Sequence, residues 1–287
     1  MKLYATQYTP PIKLAQTPSA KCDQQRPIII LHGLFGSSRN WHPIAKLLAE
    51  KRIVYCLDLP NHGQSPSCQH MTYPSMAQAV FDFIKNLDPQ CASVDIIGHS
   101  MGGKVAMCLA LLHSEIIHKL IVVDIAPVQY EHDFSHILEG LSAIPLDKIR
   151  SRTEADTILA TYLEERSLRQ FLLQNLYLGQ NKGAQIAHSK LGRYQWRLNL
   201  EAIATSMADI IAFPELENSS LFAKKVFFIG GEYSDYLNKN NRDKTKQLFP
   251  KALFSTLKKA GHWLHAEQPE HFVSLLQYYL KKDSSQL

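Results

Sequence analysis

Six short apolar runs, rich in isoleucine and valine, alternate along the chain with longer segments of helical periodicity. The runs are nearly continuous in apolar residues, as expected of strands that are buried on both faces. Strands that alternate with helices predict right-handed crossovers and the mostly parallel central sheet of an α/β protein. The runs lie at residues 27–31, 53–57, 94–97, 120–123, 226–229 and 252–257.

The alternation is interrupted once, from residue 128 to residue 213. This stretch has no convincing buried strand and reads as helices at residues 133–144, 153–165, 167–178 and 200–211. Elsewhere the helical patterns follow the strands, at residues 41–50, 73–87, 101–113 and 269–280. No glycine- and serine-rich hinge flanks the interruption. We therefore predict a core of residues 1–127 and 214–287, with a helical cap of residues 128–213 inserted over one end of the sheet.

Composition and charge exclude several classes of protein. Of the 287 residues, 45% are hydrophobic and 20% charged, which is ordinary for a globular chain and excludes a disordered one. The net charge of +5 is spread out, which favours a solvated surface over a nucleic-acid interface. No apolar run is long enough to span a membrane, and the N-terminus lacks the apolar core of a secretory signal. Five cysteines without paired spacing favour a reducing compartment, so we expect a cytoplasmic protein without stable membrane insertion.

The strongest chemical signal is the motif Gly98-His99-Ser100-Met101-Gly102, which follows a predicted strand and opens a predicted helix. In that context a GxSxG sequence indicates a sharp strand-to-helix turn with an exposed serine hydroxyl. The flanking glycines avoid clashes at the turn, and the helix N-terminus directs N–H groups towards the site. We therefore predict that Ser100 is a catalytic nucleophile.

A second glycine-flanked loop, His32-Gly33-Leu34-Phe35-Gly36, follows the first predicted strand. Such a loop can present a backbone N–H towards the serine. The N–H groups of Met101 and Leu34 are predicted to form an oxyanion hole, with Phe35 as the alternative donor to Leu34.

The general base is predicted from the order of motifs along the chain. A serine nucleophile needs a base within hydrogen-bond reach, and His262 follows the last predicted strand, as the hydrolase order Ser…Asp/Glu…His requires. His265 is the nearby rival. His99 adjoins Ser100 but is interpreted as a pocket wall, and His62 as part of a scaffold turn.

The acid of the triad has three candidates. Asp124 ends the strand that follows the nucleophile strand, and carboxylates at the carboxyl ends of parallel strands face the site. Asp235 and Glu232 lie in the loop after the later strand at residues 226–229. We favour Asp124, with Asp235 second.

Together these residues resemble the α/β-hydrolase superfamily and, more narrowly, the small bacterial and mitochondrial esterases of the abhydrolase type. The resemblance spans residues 28–280 and implies Ser100, His262 and Asp124 as the triad; the presence of Asp235 departs from the subgroup. The motifs that carry it are His32-Gly33-Leu34-Phe35-Gly36-Ser37, Asn61-His62-Gly63, Tyr73-Pro74-Ser75-Met76-Ala77-Gln78, Gly98-His99-Ser100-Met101-Gly102-Gly103-Lys104, Val123-Asp124-Ile125-Ala126-Pro127-Val128, Trp196-Arg197-Leu198-Asn199 and Ala260-Gly261-His262-Trp263-Leu264-His265-Ala266-Glu267.

The resemblance implies hydrolysis of small-molecule carboxylic esters with short to medium acyl chains, and of acyl-CoA thioesters, without a cofactor or metal. Two apolar stripes of the predicted cap are expected to leave an apolar roof over Ser100 that suits an acyl chain, with ordinary packing onto the core as the alternative for each stripe. The alternatives are a carbon–carbon hydrolase or acyltransferase of the same fold, and a ligand-binding receptor without turnover. The stripes are Phe134, Ile137, Leu138 and Leu141, and Phe171, Leu172, Leu176 and Tyr177.

Overall fold

The computed structural model describes residues 1–11, 26–87, 93–179, 194–216 and 221–281. Cys22 and Cys91 lie outside these residues. In the described part no helix is both long enough and apolar enough to cross a lipid bilayer.

All six predicted apolar runs form strands of one seven-stranded sheet, so the prediction of a mostly parallel α/β sheet is confirmed. The sheet order is β1-β3-β2-β4-β5-β8-β9, and every neighbouring pair is parallel except β1 with β3. The strands are β1 (Ala5–Tyr8), β2 (Ile28–Leu31), β3 (Val54–Leu57), β4 (Val94–His99), β5 (Ile117–Val123), β8 (Val226–Gly231) and β9 (Ala252–Leu257), with β6 (Leu176–Leu178) and β7 (Tyr194–Trp196) in a separate antiparallel pair.

Helices cover both faces of the sheet. Along β2, Ile29 and Leu31 belong to one apolar cluster, and Ile28 and Ile30 belong to the other. This alternation is the expected result of the two-residue period of a strand. The helices are α1 (His42–Leu48), α2 (Tyr73–Lys85), α3 (Met101–Leu112), α4 (Ser135–Ser142), α5 (Arg152–Leu159), α6 (Arg166–Leu173), α7 (Leu200–Thr205), α8 (Met207–Ile211), α9 (Lys239–Leu248), α10 (Leu264–Glu267) and α11 (Pro269–Lys281).

Residues 128–213, called the cap segment below, follow β5 and carry helices α4 to α8. Within its described residues, the helix expected at residues 167–178 ends at Leu173 and gives way to β6. The cause lies in Asn175, whose amide nitrogen donates to the carbonyl of Leu172 at 3.1 Å. A side-chain donor thus satisfies a helix-terminal carbonyl, and the chain turns out of the helix. The division into core and cap remains a proposal.

Buried hydrogen bonds join the end of the cap segment to the core. The Tyr73 hydroxyl, on α2, donates to the carbonyl of Ile210 at 2.6 Å. The Lys104 ammonium, on α3, donates to the carbonyls of Ile211 at 2.8 Å and Ala212 at 2.6 Å. Lys104 is only 1% exposed, and its burial lowers its pKa to about 7. These bonds satisfy carbonyl groups that the end of α8 leaves free.

Candidate active site

Ser100 occupies the sharp turn between β4 and α3, with φ 52° and ψ −120°. The turn brings backbone segments so close together that two of its positions have no room for a side chain. A Cβ atom at Gly98 would lie 2.4 Å from the carbonyl oxygen of Gly102, and one at Gly102 would lie 2.5 Å from the carbonyl oxygen of His32. Both distances are far below van der Waals contact, so the motif needs glycine at these positions. A residue held in such a sparsely populated conformation is characteristic of functional sites.

The turn brings Ser100 to two other predicted residues. Nε2 of His262 lies 3.1 Å from the Ser100 hydroxyl oxygen, and Nδ1 of His262 lies 2.7 Å from Oδ2 of Asp124. Ser100 follows β4, Asp124 follows β5 and His262 follows β9, so the carboxyl ends of three parallel strands supply the three side chains. The arrangement can pass a proton from the serine hydroxyl to an imidazole that a buried carboxylate orients.

Asp124 is completely buried and accepts two further hydrogen bonds. The N–H of Gly231 donates to Oδ1 at 3.0 Å, and the Ser234 hydroxyl donates to Oδ2 at 2.5 Å. Sequence analysis missed Ser234, because a serine in a polar loop carries no motif. Its only available signal was its position in the loop where the rival acids also lie.

The rival acids do not reach His262. Asp235 is exposed, and its carbonyl accepts a hydrogen bond from the Asn238 amide. Glu232 instead receives the Lys258 ammonium at 2.7 Å and the N–H of Lys259 at 2.9 Å. The loop after β8 therefore supplies Ser234 to the site, while Glu232 pairs with Lys258 and Asp235 is exposed.

In the loop at residues 33–36, the N–H groups of Leu34 and Phe35 point in different directions. The Phe35 N–H donates to Nε2 of His62 at 3.1 Å. The Gly33 carbonyl accepts the Gly36 N–H at 3.0 Å and Nδ1–H of His32 at 2.8 Å. Because a trans peptide holds its N–H opposite its C=O, the Leu34 N–H points away from both of these donors. The side chain of Leu34 lines the same cavity as Ser100.

Two buried histidines form the scaffold beneath this loop. Nδ1–H of His62 donates to the carbonyl of Pro60 at 2.9 Å, which leaves Nε2 as the acceptor for Phe35. Nε2 of His32 accepts the N–H of Leu59 at 2.9 Å. Burial lowers the pKa of His62 to about 3, with the neighbouring His32 adding to the effect. His62 is therefore neutral at pH 7.

His99 and His265 are also buried. Nε2–H of His99 donates to the carbonyl of His262 at 2.9 Å, which fixes the backbone of the loop after β9. The His265 ring stacks on Trp41 with a centroid separation of 4.4 Å. Burial lowers the pKa of His99 well below its ordinary value and that of His265 to about 3. Neither ring contacts the Ser100 hydroxyl, whereas His262 does.

A cavity of about 290 Å³, called the main cavity below, lies over Ser100 and His262. From the predicted cap stripes, Phe134, Ile137 and Phe171 line it. Of the other members, Leu138, Leu141, Leu172 and Leu176 pack into the apolar core, which is the alternative expected for such stripes. Leu141, Leu172 and Leu176 are each fully buried there. Within the described ranges, no three histidine, cysteine or acidic residues gather as a metal site would require.

Comparisons with known proteins agree with this architecture. The family model of the alpha/beta hydrolase fold matches residues 26–269. The sn-1-specific diacylglycerol lipase ABHD11 of Danio rerio is 36% identical over 263 residues, which cover 89% of this chain and 78% of that protein. Esterase YbfF of Escherichia coli K12 is 34% identical over 88% of this chain and 92% of its own length.

A solved structure described as a marine microorganism esterase superposes with a TM-score of 0.85 and 33% identity, covering 97% of this chain and 99% of that one. Its whole-length similarity includes the cap segment as well as the sheet. The chain therefore belongs to the alpha/beta hydrolase fold family, among its small ester-bond hydrolases.

Proposed function

We propose that this chain is a serine carboxylesterase that works through an acyl-enzyme on Ser100. The observation that supports this proposal is the hydrogen-bonded series from Ser100 through His262 to Asp124, with separations of 3.1 and 2.7 Å. His262 takes the proton of Ser100 as the serine oxygen forms a bond to the acyl carbon. The proton then passes to the leaving alkoxide as the ester C–O bond breaks. A water molecule, deprotonated by His262, attacks the acyl carbon; the bond to the Ser100 oxygen breaks, this oxygen takes the proton back from His262, and the acid is released.

The roles of the remaining groups follow from their hydrogen bonds. Asp124, with its donors Gly231 and Ser234, holds Nδ1–H of His262 and stabilises the imidazolium that forms. The N–H groups of Leu34 and Met101 form the proposed oxyanion hole. Leu34 is favoured over Phe35 because the Phe35 N–H already donates to His62. Losing one oxyanion donor costs roughly 3 kcal/mol of transition-state stabilisation.

The decisive experiment compares p-nitrophenyl ester hydrolysis by the natural chain and by Ser100→Ala. We expect the variant to lose activity by roughly 10⁶-fold, since the nucleophile and the base act as a unit. Intact-mass spectrometry after mixing with a fluorophosphonate should show one adduct on the natural chain and none on the variant. Turnover that survives in folded Ser100→Ala would overturn the proposal.

Acyl-CoA thioesters are a finer proposal for the same site. The same triad cleaves a thioester with thiolate as the leaving group, and the net charge of +5 is compatible with an anionic leaving group. If CoA phosphates contact basic groups at the mouth, raising the salt concentration should raise KM for an acyl-CoA but not for an uncharged ester. An unchanged KM for the thioester would remove CoA recognition from the proposal.

We also propose a reducing, cytoplasmic setting. Among the residues that the structure describes, Cys56, Cys68 and Cys108 are all free thiols. Reaction of the unfolded natural chain with a thiol reagent, before and after reduction, tests this by counting the free cysteines. An increase on reduction would contradict it.

A further inference from the structure

A second, smaller cavity opens beside Ser100, on the side of α3. It is called the inner cavity below and is bounded by Tyr73, Met101, Lys104, Tyr130 and Ile210. Its volume is about 30 Å³, a tenth of the 290 Å³ of the main cavity. Ser100 lines both cavities, so a carbonyl carbon bonded to its hydroxyl oxygen could place one substituent in each.

One wall of the inner cavity is part of a hydrogen-bonded framework. The Tyr73 hydroxyl donates to the Ile210 carbonyl at 2.6 Å, and the Lys104 ammonium donates to the next two carbonyls, at 2.8 and 2.6 Å. Tyr73 is 2% exposed and Lys104 is 1% exposed. Displacing this wall would leave a buried hydroxyl or a buried ammonium without its acceptor, which is costly. This wall of the inner cavity therefore resists displacement.

His262 determines which half of an ester lies in which cavity. Its imidazole lines the main cavity and is not among the described residues that line the inner one. The base that takes the serine proton must return it to the leaving group, so the leaving group lies beside His262 in the main cavity. The acyl substituent, on the other side of the carbonyl carbon, then faces the inner cavity. Met101, which carries a proposed oxyanion donor, lines that side.

We infer that the inner cavity is the acyl site and that the enzyme is selective for acetyl and propionyl esters of large apolar alcohols. A space of about 30 Å³ holds about two water-sized groups, which is the methyl or ethyl of these acids. The larger alcohol or thiol lies in the main cavity, against Phe134, Ile137 and Phe171. The inference rests on the proposed esterase function and adds its substrate class.

Two substrate series test the inference on the full-length protein. In the first, p-nitrophenyl esters lengthen the acyl group from C2 to C12 with a constant leaving group. In the second, acetates lengthen the alcohol from ethyl to octyl with a constant acyl group. We expect kcat/KM to fall at least tenfold beyond propionyl in the first series, and to hold or rise along the second.

A matched pair of variants assigns the effect to one cavity. Ile210→Ala removes three carbons from the inner wall and should move the preferred acyl length up by about two carbons. Ile137→Ala removes the same three carbons from the main cavity and should leave the preferred acyl length unchanged. Ile210→Val provides a smaller enlargement if the alanine variant does not fold, and is expected to shift the preference by about one carbon.

The outcomes separate this inference from the esterase proposal. If Ser100→Ala abolishes turnover but the natural chain prefers acyl groups of C6 or longer, the esterase proposal stands and the inner acyl site is wrong. A shift of preferred acyl length by Ile137→Ala, and not by Ile210→Ala, would likewise place the acyl chain in the main cavity. If the natural chain cleaves no ester in either series, both proposals fall.

Discussion

The buried histidine His265 should make the free energy of unfolding fall as the pH is lowered. Burial lowers the pKa of His265 from 6.5 to about 3, and its buried Nδ1 has no hydrogen-bond partner among the described residues. In the unfolded chain His265 therefore binds a proton below pH 6.5, whereas in the folded chain it does so only below about pH 3. Because the unfolded state binds more protons, stability is lost as pH falls through this window. Between pH 7 and pH 5 the loss from this histidine is about 2 kcal/mol.

The matched substitution is His265→Phe, which keeps a ring to stack on Trp41 and removes the titrating group. The free energy of unfolding, measured by urea denaturation at pH 7, 6 and 5, should differ little between the two proteins at pH 7. At pH 5 the variant should be relatively more stable by about 2 kcal/mol. His271→Gln, at an exposed histidine on α11, is the control for a histidine substitution on the surface. If His265→Phe and the natural chain lose stability in parallel from pH 7 to pH 5, the conclusion that His265 stays neutral in the folded protein is refuted.

Three further predictions concern the site and its frame. Asp124→Asn should lower kcat on the order of 10⁴-fold by presenting the wrong tautomer of the base, while Asp235→Asn should change it less than about twofold; an equal fall in both would reject the assignment of the acid. Asn175→Ala should lower kcat about tenfold with KM nearly unchanged, because the Phe35 carbonyl of the 33–36 loop loses the Asn175 amide that donates to it at 2.7 Å. A rise in KM alone would contradict this reasoning. Gly102→Ala should destabilise the fold by about 3 kcal/mol in urea denaturation, since its Cβ would lie 2.5 Å from a backbone oxygen, whereas Gly261→Ala, whose Cβ meets only a carboxylate at 3.3 Å, should cost far less.

The buried strands were predictable because both of their faces contact apolar layers, which leaves an unmistakable run in the sequence. The edge strand β1 was missed for the opposite reason. Ala5–Tyr8 is half-exposed and mixes apolar with polar residues, and its place is determined by pairing with Val54–Leu57, some 50 residues away. A four-residue segment of this kind carries too little periodicity to distinguish a strand from a loop.

The difference between a local sequence signal and a long-range contact also applies to the residues of the site. Ser100 lies in a motif whose glycines avoid local backbone clashes, and His262 comes last in the order of motifs, so the sequence alone indicates both residues. Ser234 and Asn175 carry no such local mark. The Asn175 side chain meets the Phe35 carbonyl across 140 positions of the chain. Long-range hydrogen bonds of this kind depend on how the cap segment lies on the core, and no pattern in either segment specifies it.

The bonds from Tyr73 and Lys104 to the end of α8 also bear on cooperativity. Lifting the cap segment off the sheet would expose the apolar lining of both cavities and would leave the buried Lys104 ammonium without its two carbonyl acceptors. Local opening is confined to parts of a protein with few such buried contacts. The amide hydrogens of α8 should therefore exchange with solvent in the same unfolding event as those of α3, so that this wall of the inner cavity unfolds with the core and not ahead of it.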